Sequence, residues 1–151
     1  MIPMFESRTP YETQRIHAAA IYCSDGRVGD HFDDFLQNGL KLPRYDRVAL
    51  PGGPATLVEY PQTKLEHAAV VDELHFLIDV HKIERIVLIQ HQNCAFYTRR
   101  LELSGFEVEK RQLDDLKRAG DFVAKITNVK AIESYFARQF DGHVRFEEVQ
   151  F

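Results

Sequence analysis

Residues 17–27 read His-Ala-Ala-Ala-Ile-Tyr-Cys-Ser-Asp-Gly-Arg, an apolar run that ends in a cluster of reactive side chains. The run is short, partly β-branched or aromatic, and closed by a turn with glycine, so it predicts a buried strand rather than a helix. Cys23 then lies at the carboxyl end of that strand. Because ligand sites of open α/β sheets gather at these ends, the stretch predicts an α/β fold with a functional site at Cys23.

A second apolar run, residues 85–90, predicts another buried strand and leads into His91 and Cys94. Zinc accepts thiolate and imidazole ligands in tetrahedral geometry, and three protein ligands leave a fourth position for water, as in catalytic sites. The sequence therefore predicts a zinc site made by Cys23, His91 and Cys94. The alternative for the two cysteines is a pair of core thiols without a metal.

Asp25 and Arg27 follow the first cysteine closely. A carboxylate at Asp25 can accept the proton of a zinc-bound hydroxide and so aim its lone pair at an electrophile, and the guanidinium of Arg27 can bind that carboxylate through two hydrogen bonds and keep it ionised. The two residues are thus candidate catalytic groups. The alternative is a structural ion pair that caps the turn, which is compatible with metal binding.

Composition limits the classes of partner. The chain has 151 residues, enough for one domain, and a net charge of −4, which gives no basic surface for nucleic acid. No apolar run approaches the length of a membrane span, and the first residues lack the pattern of a signal peptide. We therefore expect a cytoplasmic protein with neither nucleic acid nor a membrane as partner. In a reducing compartment, two spaced cysteines favour metal binding over a disulfide.

Hydrophobic spacing predicts the other elements. Residues 62–82 carry an apolar stripe typical of a long amphipathic helix, and a helix of this length before strand 85–90 implies parallel pairing. The predicted fold is a single α/β domain with a mostly parallel central sheet of four to five strands flanked by helices. The remaining predicted elements are a helix over 30–38 with Asp30 as N-cap, a strand over 46–50, a helix over 107–125 broken at Gly120, a helix over 129–140 and an edge strand over 143–146.

Two segments are expected to lie outside this core or beside the site. Residues 1–16 are polar, contain two prolines and predict an N-terminal arm that packs on a neighbour, which leaves 17–151 as the domain. Residues 51–54, Pro-Gly-Gly-Pro, predict a loop after a strand end, where Gly52 and Gly53 let the backbone approach a ligand or another segment closely. A plain turn is the alternative for that loop.

These motifs together resemble the β-class carbonic anhydrases. The Cys-x-Asp-x-Arg pattern is Cys23 to Arg27, the His-x-x-Cys pattern is His91 to Cys94, and the similarity covers about residues 14–149. The resemblance implies a zinc enzyme that hydrates carbon dioxide to bicarbonate, with Asp25 and Arg27 as gate. It also implies a site at a homodimer interface, with Gly52 and Gly53 in a substrate-binding loop and Gln14 as a substrate-facing glutamine.

The sequence departs from the family pattern around the metal. Gln90 and Ala95 replace glycines beside His91 and Cys94, and Ala49-Leu50 replaces an Arg-Asn pair. Larger side chains alter the space near the metal, and the loss of polar groups alters the walls of the substrate pocket. Two other functions therefore stay open: a related zinc hydrolase for carbonyl sulfide or carbon disulfide, and a zinc-binding protein without turnover.

Overall fold

The computed structural model describes residues 2–151, which form an α/β domain around one five-stranded sheet. The strands lie in the order β2-β1-β3-β4-β5, and the first four are parallel, whereas β5 runs antiparallel to β4. This confirms the predicted single domain with a mostly parallel sheet. The strand bounds are Ala18–Tyr22 for β1, Asp46–Ala49 for β2, Arg85–His91 for β3, Ala131–Phe140 for β4 and His143–Glu148 for β5.

Helices flank both faces of the sheet. The α-helices are α1 at Gly29–Asp34, α2 at Lys64–His81 and α3 at Phe106–Ile126. Short π-helical turns occur at Phe35–Gly39 and Phe96–Arg100, and 3₁₀ turns at Gly53–Leu57 and Pro61–Thr63. No helix of residues 2–151 is long and apolar enough to cross a membrane.

The core forms two apolar layers because successive side chains of a strand point to opposite faces. On one face, Ala19 and Ile21 of β1 pack with Leu74 of α2 and Leu116 of α3. On the other face, Ala18, Ala20 and Tyr22 pack with Phe32 of α1 and with Leu36 after it. Both faces of β1 and β3 are covered, so the carboxyl ends of these two strands are held rigidly next to each other.

The prediction of a helix over 129–140 is wrong, since these residues contain strand β4. β4 pairs over residues 131–137 with β3, which is distant in the chain, and over residues 135–140 with the adjacent β5, so its backbone has hydrogen-bond partners on both sides. Tyr135, Phe136 and Ala137 are consecutive and all buried, which suits a central strand better than one face of a helix. Long-range pairing here overrides local helix propensity.

Two helix details also differ from prediction. Helix α3 continues through Gly120 without a break, and a Cβ at this position would lie 4.0 Å from Ile132 of β4, an ordinary van der Waals contact. Helix α1 begins at Gly29, with Val28 rather than Asp30 at the N-cap position and no side-chain cap. The predicted strand over 143–146 is confirmed as edge strand β5, and the predicted long helix over 62–82 as α2.

The predicted arm is an extended, exposed segment in the described chain. Residues 2–16 form no helix or strand, and residues 2–15 are exposed. The first residue of the prediction, Met1, lies outside the described residues. Arg44 donates a hydrogen bond from Nε to the carbonyl of Gln14 at 2.9 Å, which ties the end of the segment to the domain. The division into an arm and a domain at residue 17 stays a prediction.

Candidate metal centre

The structure brings Cys23, His91 and Cys94 together at the carboxyl ends of two adjacent strands. Cys23 follows β1, His91 is the last residue of β3, and Cys94 lies in the turn after it. Their candidate ligand atoms all lie within 4.8 Å of one another, and the two sulfur atoms are 3.9 Å apart. All three residues are buried. Parallel pairing of β1 with β3 is therefore what assembles the group.

The orientation of His91 leaves one ring nitrogen available to a metal. Nδ1 lies 2.8 Å from the carbonyl oxygen of Gln92 and can donate to it, which fixes the tautomer with a lone pair on Nε2. Nε2 is buried and has no hydrogen-bond partner within residues 2–151. Buried polar atoms without a partner are rare and indicate a missing ligand. A borderline-soft ion such as zinc, which takes two thiolates and one imidazole, fits these donors.

The two sulfur atoms are electrostatically linked. The Cys94 thiol donates toward Cys23, and this hydrogen bond, with contacts from His91 and from the amides of Gly52 and Asp25, lowers the pKa of the Cys23 thiol below its usual range. The same hydrogen bond and burial raise the pKa of the Cys94 thiol. The pair thus loses one proton readily, and the second leaves when a cation supplies the compensating charge.

Gly52 and Gly53 form a loop that lies directly against Cys23 and the turn after Cys94. Both have positive φ, 83° and 49°, a conformation that favours glycine. A Cβ at Gly52 would lie 2.7 Å from the ring of Phe96, and one at Gly53 would lie 2.7 Å from the backbone carbon of Tyr22. The loop therefore supports the site by close backbone packing that only glycine permits.

Asp25 and Arg27 form the paired carboxylate and guanidinium that the sequence predicts. Arg27 donates from Nη2 to Asp25 Oδ2 at 2.6 Å and from Nε to the two carboxylate oxygens at 3.1 and 3.0 Å. These bonds hold the pKa of Asp25 down at about 2, so the carboxylate is ionised at neutral pH. Asp25 Oδ1 also accepts the Arg27 amide at 2.9 Å, so the pair closes the turn as well. The ion pair that closes the turn is thus present, and the catalytic role of the two residues stays a prediction.

Gln14 lies far from the other predicted site residues within one chain. It precedes β1 and lines a cavity of about 230 Å³ with Arg44 and Tyr45, at the amino ends of the strands. Cys23 and His91 lie at the carboxyl ends. The structure therefore does not bring Gln14 to the metal centre of its own chain.

Sequence analysis missed a cluster of buried polar side chains behind the metal centre, which we call the buried polar cluster. Its members are Tyr60, Gln90, Tyr97, Gln112 and Asp115. Both tyrosine hydroxyls lie 2.7–2.8 Å from the carboxylate of Asp115. Burial raises the pKa of Asp115, and the hydrogen bonds from the tyrosines oppose that rise. A signal was present in the sequence, since two polar residues interrupt the apolar stripe of α3.

The comparisons with known proteins give one family. The family model described as "Putative carbonic anhydrase" matches residues 13–149. A protein of Rickettsia bellii described as uncharacterized is 33% identical over 78 residues, and the match covers 51% of this chain and 46% of that protein. The chain thus spans about half the length of that relative.

Solved structures with the same architecture are β-carbonic anhydrases. Isoform I from Trichomonas vaginalis is similar with a TM-score of 0.54 at 14% identity, over 93% of this chain and 87% of that one. The enzyme CafA of Aspergillus fumigatus has a TM-score of 0.48 at 15% identity, over 89% and 76% of the two chains. At such identities the first likeness shows a shared fold, and the family model carries the assignment. Because that model extends from strand β1 through strand β5, this chain belongs to the carbonic anhydrase family that the motifs around Cys23 and His91 predict.

Proposed function

We propose that this protein catalyses the reversible, zinc-dependent hydration of carbon dioxide to bicarbonate. The observation that carries the proposal is the convergence of two thiols and an unpartnered imidazole nitrogen within 4.8 Å, beside an ionised carboxylate. Cys23, His91 and Cys94 would hold the ion. When bound at such a site, zinc supplies a Lewis acid that makes a coordinated water more acidic.

The chain's own residues have separate tasks in this proposal. Asp25 accepts a hydrogen bond at its ionised carboxylate and so orients the attacking group toward carbon dioxide. Arg27 keeps that carboxylate ionised and in position through its three side-chain contacts. It also donates from Nη2 to the carbonyl of Asn93 at 3.3 Å, which links the turn after β1 to the turn after β3. Gly52 and Gly53 supply a backbone wall next to Cys23.

The proposal includes a homodimer in which the arm of one copy completes the site of the other. Ile2, Met4, Phe5 and Tyr11 are each about nine-tenths exposed in the single chain, and burying such side chains favours association. Gln14 lies at the wrong edge of the sheet to reach its own metal centre, so a role in substrate binding requires a second copy. Light scattering at micromolar concentration tests this, since a monomer would remove Gln14 from the site.

The decisive experiment measures carbon dioxide hydration by stopped flow with a pH indicator, on protein whose zinc content has been determined. We expect one zinc per chain and a rate that rises between about pH 7 and 9, where a water on thiolate-ligated zinc ionises. Cys94→Ser is the control, because a neutral hydroxyl is a much poorer zinc ligand than a thiolate. A zinc-loaded protein with no hydration across that range would contradict the proposal. Hydrogen sulfide release from carbonyl sulfide would then identify a related hydrolase, and its absence a zinc-binding protein without turnover.

A further inference from the structure

The buried polar cluster touches the segments that carry His91 and Cys94, and it reaches the segment that carries Cys23 through the loop at Gly52. Gln90 donates from Nε2 to the carbonyl of Gly52 at 3.1 Å, and Gly52 belongs to the loop that packs on Cys23. Gln112 of α3 donates from Nε2 to the carbonyl of His91 at 2.8 Å. Tyr97 belongs to the turn that follows Cys94, and its amide donates to the Cys94 carbonyl at 3.2 Å. None of these contacts involves a ligand side chain, so the cluster acts on the ligands through the backbone.

The hydrogen bonds of the cluster have a fixed direction. The hydroxyl of Tyr97 donates to Asp115 Oδ2 at 2.7 Å. That leaves the Tyr97 oxygen to accept from Gln90 Nε2 at 2.8 Å. With its amide nitrogen committed there, Gln90 presents Oε1 to Gln112 Nε2 at 3.3 Å. The carboxylate at one end and the carbonyls of Gly52 and His91 at the other thus favour the same orientation of both glutamine amides.

The cost of disturbing this arrangement is high because the cluster is dry. Asp115 and Tyr97 are 0% exposed, Gln90 is 0% exposed and Gln112 is 1% exposed. A buried polar group that loses its partner cannot turn to water, so neighbouring groups must shift to find a new one. The nearest groups that can shift are the carbonyls of Gly52 and His91, which belong to the metal-binding segments.

We propose that the buried polar cluster positions the metal ligands through their backbone, and that Asp115 anchors the cluster by accepting hydrogen bonds from Tyr60 and Tyr97. Asp115 and Tyr97 are then positioning residues, since they do not touch the ion or the substrate. The inference rests on the metal centre of the proposed function. It assigns a task to Gln90, the residue that replaces a glycine of the family pattern: its side chain joins the Gly52 loop to Tyr97.

The test uses Tyr97→Phe and Asp115→Asn in the full chain loaded with zinc. Transfer of zinc to a chromogenic chelator gives the release rate, and substitution with cobalt(II) gives an absorption spectrum that reports ligand geometry. We expect zinc release at least about tenfold faster, as for other groups that orient metal ligands, and shifted cobalt bands. Tyr135→Phe is the matched control. It removes one buried tyrosine hydroxyl, which donates to Glu133 at 3.0 Å, in the core layer on the α1 side of the sheet.

The outcomes separate this inference from the proposed function. If Tyr97→Phe releases zinc at the rate of Tyr135→Phe with an unchanged cobalt spectrum, the cluster has only a structural role and the inference is wrong. Should Asp115→Asn fail to fold, Tyr97→Phe decides alone, since it deletes a single hydroxyl. If the wild type does not hydrate carbon dioxide but the variants still release zinc faster than it does, the inference is supported and the proposed function is contradicted. A wild type without zinc would overturn both.

Discussion

Two aspartates flank the candidate metal centre in opposite environments. Asp25, in the turn after Cys23, has a side chain that is 19% exposed and is bound by the guanidinium of Arg27, which holds the pKa of its carboxyl at about 2. Asp115, on α3 behind the centre, is fully buried, and its close partners are the hydroxyls of Tyr60 and Tyr97. Burial raises the pKa of this second carboxyl.

The difference shows how one residue type serves two purposes. A carboxylate at the surface, held by a cation, can meet a small substrate and stays ionised through a reaction. A carboxylate sealed among hydroxyls cannot meet a substrate, but it can impose one orientation on every hydroxyl bonded to it. Changes at Asp25 should therefore alter rate without altering stability, and changes around Asp115 should alter stability and metal retention. Each prediction below can contradict this division between effects on rate and effects on stability.

The largest expected effect is that of Asp25→Asn on rate. The amide is a far weaker proton acceptor than the carboxylate, so carbon dioxide hydration should fall by about 10²–10⁴-fold at unchanged zinc content. The measurement is stopped-flow hydration per bound zinc. Asp30→Asn, in an exposed residue of α1, is the control and should keep the wild-type rate. Wild-type turnover by Asp25→Asn would show that the pair only closes its turn.

A smaller loss of rate is expected for Arg27→Ala, about 10–100-fold, because the carboxylate is no longer held in place and can compete for the open position on the metal. Zinc content should be unchanged. The urea midpoint should also stay close to that of the wild type, because exposed ion pairs contribute little to stability. Arg27→Lys should recover part of the rate, since it restores the charge but not the paired geometry. A structure of Arg27→Ala with Asp25 unmoved would contradict the role of Arg27 in holding Asp25 away from the metal.

Tyr97→Phe should affect the free energy of unfolding more than it affects the paired side chains of Asp25 and Arg27. It removes a buried hydrogen bond to a charged group and leaves Gln90 and Asp115 each short of one partner. We expect a loss of about 1–3 kcal/mol in urea unfolding, compared with wild type at the same zinc concentration. A Tyr97→Phe protein as stable as the wild type would mean that water replaces the hydroxyl and that the cluster is not dry.

The smallest expected effect is the pH dependence of stability at Asp115. Its pKa in the folded state is raised, so the folded chain binds the proton more tightly than the unfolded chain does. Relative to Asp115→Asn, the wild type should therefore gain stability as pH falls from the folded-state pKa toward about 4, the value in an unfolded chain. Urea midpoints of both metal-free proteins at several pH values measure this. A difference that moves in the opposite direction would show that the tyrosine hydrogen bonds outweigh burial.

The sequence was sufficient to predict the group of candidate metal ligands but not the buried polar cluster. Cys23 and His91 each follow a short apolar run, and because buried parallel strands have this local pattern, their meeting at one edge could be predicted. The role of Gln90 could not be predicted, because its partners Gly52, Tyr97 and Gln112 come from three separate segments. Strand β4 was missed for the same reason, since its pairing with β3 joins residues that are distant in the chain.

The order of the strands also constrains when the centre can form during folding. Cys23 and Cys94 lie 71 residues apart in the chain, and they meet only when β1 and β3 have paired. Before that step, His91 and Cys94 alone are neighbours, and two ligands make a weak zinc site. The third ligand arrives when the central strands have paired, after the segment between them, which contains α1, β2 and α2, has closed a long loop. An ion captured this late contributes little to the folding transition state, so zinc would lengthen the lifetime of the folded chain far more than it would hasten its formation.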